Sequence, residues 1–149
     1  MYNLISTFSF EAAHRLYNVD TYSKECRDNL HGHSYKVDVK LSRRELNPAG
    51  MVMDFKLFKH IANDIFDRYD HACVLRKCDP ILPVIEQNCK KVIAVEESPT
   101  AEWMAKYFYE WLDERFKLQD KELILTEVSV QETENNIATY SREGMVSIR

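Results

Sequence analysis

HSYKVDVKLS, residues 33–42, alternates without a break: Tyr35, Val37, Val39 and Leu41 share one parity, and Ser34, Lys36, Asp38, Lys40 and Ser42 the other. A period of two places these sets on opposite faces of a sheet, so the stretch reads as a half-buried strand. Upstream, residues 4–14 repeat the pattern, with Phe8, Phe10, Ala12 and His14 on one side and Thr7, Ser9 and Glu11 on the other. Leu123 to Thr133 alternates again, with Thr126, Val128, Val130 and Glu132 on one parity, and Asn135-Asn136 turns the chain into a last strand, Ile137 to Tyr140. NPAGM, 47–51, reads as a turn, and Met51 to Met53 as the start or extension of a short strand.

Two segments carry the helical period instead. Asp54 is a good N-cap for DFKLFKHIANDIFDRYDH, whose Phe55, Phe58, Ile61, Ile65, Phe66 and Tyr69 fall on one stripe. Ser98-Pro99, a capping residue followed by proline at the first helical position, starts a second helix striped by Trp103, Met104, Tyr107, Phe108, Trp111 and Leu112. Between them, 72–97 reads as irregular, with a short strand at Val92–Val95. The expected class is α+β: an antiparallel four-stranded sheet with two helices on one face. Such a sheet leaves two open edges, which points to oligomerisation through them.

The 149 residues match one domain, 1–149. A balance of 45% hydrophobic and 30% charged residues is that of a soluble globular chain. Nothing approaches the roughly 20 apolar residues that span a bilayer, and a net charge of −4 argues against nucleic acid as partner. The N-terminus MYNLISTFSFEAAHRL lacks a basic segment followed by an apolar one, which argues against secretion. Cys26, Cys73, Cys78 and Cys89 form no tight pair, so free thiols in a reducing cytoplasm are expected.

His31 and His33 stand at i and i+2, on the parity of Tyr35 and Val37, and His14 ends the apolar parity of the first strand. Three imidazoles entering one concavity with a fourth position open are what a catalytic zinc site needs. The plainer alternative, strongest for any one histidine taken alone, is a set of satisfied half-buried side chains. Asp70-His71 closes the first helix. There the carboxylate can orient the imidazole as in an acid–base pair, or His71 can simply complement the helix dipole. His60, mid-helix, reads as surface. Cys26 lies in a charged loop, KECRDN, as a reactive thiol or an incidental one. Glu132 puts an acid on the apolar parity, where a planar heterocycle with adjacent N–H donors is a suitable partner; otherwise the strand has already left the core. Thr133 and Thr100 are further polar candidates.

In order along the chain, FSFEAAHRL, C-x4-HGHSYKV, GMVMDF, DHACVL, ESPTAE and QETENNIATY resemble the 6-pyruvoyltetrahydropterin synthase / 6-carboxytetrahydropterin synthase family over about residues 5–142. The resemblance implies the tunnelling fold, in which trimers close their sheets into a barrel and two trimers stack as a homohexamer. It implies Zn²⁺ on His14, His31 and His33, a catalytic thiol at Cys26, acid–base partners at Asp70 and His71, and a pterin anchor at Glu132. Active sites in the family lie between subunits, so His71 is expected to serve a neighbour's Cys26. The implied substrate is 7,8-dihydroneopterin triphosphate. The implied product is 6-carboxy-5,6,7,8-tetrahydropterin, on the queuosine (7-deazapurine) branch, with acetaldehyde and triphosphate released. FEAAHRL and LHGHSY favour that branch, whereas ETENNI looks more like the pyruvoyl-forming one, which only eliminates triphosphate. A non-catalytic zinc- and pterin-binding homologue is the alternative of another class. Four residues separate Cys26 from His31, where the carboxy-forming branch usually has three, and Glu25 is a second candidate for the base.

Overall fold

The computed structural model describes residues 1–142. Its elements are β1 (Tyr2–His14), α1 (Lys24–Asp28), β2 (His31–Arg43), α2 (Phe55–Tyr69), β3 (Ala72–Arg76), α3 (Leu82–Asn88), β4 (Val92–Val95), α4 (Ala101–Gln119), β5 (Ile124–Thr133) and β6 (Asn136–Ser141). They make one six-stranded sheet in the order β4-β3-β1-β2-β5-β6. The class is α+β as expected, but the sheet has six strands rather than four. The added β3 runs parallel to β1, and β4 parallel to β3. β4 is the short strand expected at Val92–Val95; β3, ACVLR, lies in the stretch read as irregular because its nearly continuous apolar run lacks the alternation that marks a half-buried strand.

β1 and β2 form an uninterrupted antiparallel ladder from Tyr2↔Arg43 to His14↔His31. Their inner parity, from Phe8 and Phe10 to Val37, Val39 and Leu41, is buried against the helices. α2 contributes Phe58, Ala62, Ile65, Phe66 and Tyr69, and α4 contributes Met104, Ala105, Phe108, Leu112 and Phe116. Phe10 stacks on Tyr35 at 5.0 Å between ring centroids, and Phe66 meets Phe108 edge-on at 5.3 Å. Phe55, expected on the buried stripe, is 57% exposed, while His60 lies at the surface as expected.

Other expectations are corrected. Met51–Met53 forms no strand, although Val52 and Met53 are buried, and Asn47–Gly50 is the turn that was read, closed by Gly50 N–H donating to Asn47 O at 2.8 Å. α4 is capped by Thr100, whose hydroxyl accepts from Trp103 N–H, not by Ser98. The register of β2 against β5 slips after Lys40, leaving Thr126 as an extra residue whose hydroxyl donates to Lys40 O at 3.0 Å. That bulge makes Leu125, rather than Thr126, the buried position. Among the described residues no helix is long and apolar enough to cross a membrane.

A candidate metal centre and its two cavities

The β1–β2 ladder ends by setting His14 directly opposite His31, and His33 opposite Ala12 on the same face. Opposed residues on one face stand close and diagonal ones remain within reach of long side chains, so the register alone gathers three imidazoles. Their ring centroids lie 4.6, 5.1 and 5.0 Å apart, and one ring nitrogen of each falls within 4.8 Å of the others.

Backbone carbonyls decide which nitrogens face inward. His14 Nδ1–H donates to Pro99 O at 2.8 Å, and His31 Nδ1–H donates to Asn29 O at 2.8 Å. Both neutral rings therefore turn an Nε2 lone pair inward, and those two atoms stand 3.0 Å apart. Lone pairs at that distance repel unless a proton or a cation lies between them. His33 Nε2 is buried without a hydrogen-bond partner. Three converging nitrogen acceptors, two oriented from behind by carbonyls, fit a three-histidine cation site.

Burial pushes the His14 imidazole down to about 4, with the neighbouring histidines acting the same way against the Pro99 hydrogen bond. Burial also lowers His33, opposed by Glu132. Between pH 6.5 and 4 the unfolded chain thus takes up a proton on His14 that the metal-free folded chain refuses, and acidification favours unfolding. Chelator-stripped protein should lose on the order of 3 kcal/mol of stability across that window. Urea midpoints at pH 7 and pH 4.5 check this, and equal midpoints would contradict it.

Glu132, on the parity of Val128 and Val130 as expected, sits at a second bulge. The β5–β6 register slips between Gln131 and Thr133, leaving Glu132 unpaired. Its carboxylate lies 3.6 Å from His33 Nε2 and 4.0 Å from His14 Nε2. It also lines a cavity of about 610 Å³ together with Thr100, Leu16 and Asn136. Thr133, exposed, accepts from Asn136 Nδ2 at 2.8 Å and does not line that cavity. Tyr35, whose hydroxyl lies 3.4 Å from His14 Nδ1, and Pro99 also shape the site. The parity of Tyr35 signalled the first, and nothing in the sequence signalled a carbonyl contact 85 residues away.

The segment around Cys26 is the one-turn helix α1 rather than a loop. Leu16 N–H donates to Cys26 O at 3.0 Å, which ties the helix to the chain two residues beyond His14. Cys26 is partly buried, whereas Glu25 is exposed and its carboxylate accepts from Ser23 Oγ at the start of its own helix. Of the basic neighbours, Arg15 is engaged by Asp79 and Arg27 by Asp28.

Asp70 and His71 do not join this cluster within one chain. Asp70 ends α2, where its carboxylate accepts from Glu11 N–H at 2.9 Å and lies 2.9 Å from His71 Nδ1. The Glu11 amide, then His71, hold the Asp70 carboxyl below its ordinary value. His71 adopts a left-handed backbone (φ 62°), with its N–H on Glu11 O at 2.6 Å, and Lys91 Nζ donates to the Asp67 and Asp70 carbonyls. The imidazole is 78% exposed and lines a cavity of about 330 Å³ whose wall includes Glu11, Gly32, Ser34 and Cys73, and also His33. Glu11, Gly32 and Ser34 carry the parity opposite to the three histidines, so the dyad lies outside the three-nitrogen cluster, at a cavity that His33 also lines.

The family model for 6-pyruvoyl tetrahydropterin synthase matches residues 3–143. The chain belongs to that family. It is 31% identical to the 6-carboxy-5,6,7,8-tetrahydropterin synthase of Aquifex aeolicus, over 95% of this chain and 99% of that protein. The protein of the same name from Haemophilus influenzae is 30% identical, over 94% and 99%. The 6-pyruvoyl tetrahydropterin synthase structure from Caenorhabditis elegans superposes with a TM-score of 0.67 at 29% identity, covering 95% of each chain. An uncharacterised Wolinella succinogenes protein superposes at 0.81 with 24% identity, over 95% of this chain and 98% of that one, a likeness of fold. The tunnelling fold and membership of an enzyme family of lyases follow.

Proposed function

We propose that this chain is a zinc-dependent lyase that converts 7,8-dihydroneopterin triphosphate, with uptake of one water, to 6-carboxy-5,6,7,8-tetrahydropterin, releasing acetaldehyde and triphosphate. The observation that carries the reading is the set of three inward-facing histidine nitrogens with the Glu132 carboxylate beside them. Relatives named for this product at 30–31% identity over nearly the whole chain support the choice of branch.

His14, His31 and His33 would hold Zn²⁺, which when bound acts as a Lewis acid toward the side-chain hydroxyls of the substrate. Glu132, at the mouth of the larger cavity, is suited to accept adjacent N–H groups of a pterin ring, with Thr100 in the same wall and Thr133 next along the strand. Cys26, as thiolate, takes a proton from the side-chain carbon. Glu25 is the lesser candidate, since its carboxylate turns back to its own helix start. Asp70 keeps one His71 nitrogen occupied, so the other is free to return a proton to substrate. His71 stands outside its own chain's three-nitrogen cluster; in this reading a neighbouring subunit presents it, and the working form is a homo-oligomer, a trimer or a pair of trimers. The open edge strands β4 and β6 are the surfaces for such closure.

Product analysis tests this. Zinc-loaded protein given dihydroneopterin triphosphate should yield acetaldehyde and triphosphate in equal amounts. Triphosphate without acetaldehyde would assign the pyruvoyl-forming reaction instead. Bound pterin with no turnover would make the chain a non-catalytic homologue.

A further inference from the structure

α1 is five residues long with no buried side chain, far shorter than helices that persist by themselves. Its ties are polar: the Leu16 N–H on Cys26 O, and Arg15 Nη1, which donates to the carbonyl of Asp28, the last residue of the helix, at 3.2 Å. The remaining face of the same guanidinium is locked. Arg15 Nε donates to Asp79 Oδ2 at 2.7 Å and Nη2 to Asp79 Oδ1 at 2.5 Å, a two-pronged match between planar groups. The Asp79 side chain is fully buried and itself anchored in the corner between β3 and α3. Its Oδ1 accepts from Ile81 N–H at 2.9 Å, its N–H donates to Arg76 O at 2.9 Å, and its carbonyl accepts from Leu82 N–H at 3.0 Å. The Tyr17 ring lies 5.2 Å from the guanidinium carbon.

We propose that Arg15 and Asp79 are positioning residues that set where the Cys26 thiol stands relative to the three histidines. The proposal rests on the catalytic role given to Cys26 above. Arg15 directly follows His14, so one side chain relates the end of the histidine strand, the rigid β3–α3 corner and the thiol's helix. A buried ion pair is a weak source of net stability; the two-pronged geometry, which lysine cannot reproduce, is what it specifies.

The test uses the full chain, loaded with zinc, as wild type, Asp79→Asn and Arg15→Lys. Metal content and KM should stay within about twofold, while kcat falls by about tenfold or more in both Asp79→Asn and Arg15→Lys, since an ångström of misplacement costs about a hundredfold. Amide hydrogen exchange at Leu16 and through α1 should speed up in parallel, with Val37 and Val39 unchanged. Faster α1 exchange with an unaltered kcat would overturn the proposal, as would a lost kcat with unaltered α1 exchange. If exchange at Val37 and Val39 also rises in Asp79→Asn, the fold itself has weakened, and the charge-preserving Arg15→Lys decides on the same two readings. Should wild type turn over no pterin triphosphate, the functional reading fails by itself. The clamp is then judged by iodoacetamide alkylation of Cys26, followed by peptide mapping, and a rate unchanged in both variants overturns it.

Discussion

Replacing His31 by alanine should reduce bound zinc from about one per chain to near none, and turnover should fall far beyond the roughly 10- to 100-fold that loss of an outer hydrogen-bond partner costs. Two imidazoles and a carboxylate 3.6–4.0 Å away do not replace a three-nitrogen set. His31 is the informative ligand to remove because it is half-buried at the sheet's end, whereas His14 is 1% exposed and packed beneath Tyr35. Metal-free His31→Ala should unfold at the same urea concentration as metal-free wild type, or a slightly higher one, because truncation removes the opposed Nε2 lone pairs at 3.0 Å. Wild type should gain stability on adding zinc, and His31→Ala should not, since only a ligand bound by the native state shifts the midpoint. Metal analysis with paired urea titrations reads both effects. Stoichiometric zinc in His31→Ala, and equally in His33→Ala, would remove the assignment.

Much of that site was legible in residue order, for definable reasons. The alternation around Tyr35, Val37 and Val39 and around Phe8, Phe10 and Ala12 assigned the inner face correctly, and with it the face of all three histidines. Parity does not give register: only the 13-residue ladder puts His14 opposite His31, and one residue of slip would have parted them. The bulges were invisible because no residue type demands them. One reversed the roles of Leu125 and Thr126, and the other leaves Glu132 without a cross-strand partner, although its side of the strand was legible from the parity of Val128 and Val130. Ser98 and Thr100 are equally good caps by type; Pro99 instead extends the chain so that its carbonyl meets His14, and Thr100 takes the cap. α3 hid behind Pro80 and Pro83, although proline is acceptable in a first helical turn. The Arg15–Asp79 clamp joins residues 64 apart with no shared motif, which only tertiary packing brings together.

Mixing two inactive variants should restore activity. In Cys26→Ala every chain lacks the thiol, and in His71→Ala every chain lacks the exposed imidazole, so each homo-oligomer should be nearly inactive. His71 lies outside its own chain's three-nitrogen cluster, and the proposed composite site would draw Cys26 and the metal from one subunit and His71 from another. Random reassembly of the two variants in equal amounts gives a site that is intact only when the thiol comes from the His71→Ala chain and the imidazole from the Cys26→Ala chain. That combination has a probability of about one quarter, so activity should recover to about a quarter of wild type per site, up from a background lower by a factor of about 100 or more. The double variant Cys26→Ala/His71→Ala mixed with wild type supplies the control, and there too a quarter of the sites should be intact. Recovery should require subunit exchange, so mixing after chemical cross-linking should leave activity at background. If the mixed single variants stay inactive although native mass spectrometry shows mixed oligomers, Cys26 and His71 act within one chain or not in the same site. The placing of the dyad outside the three-nitrogen cluster would then have no part in catalysis.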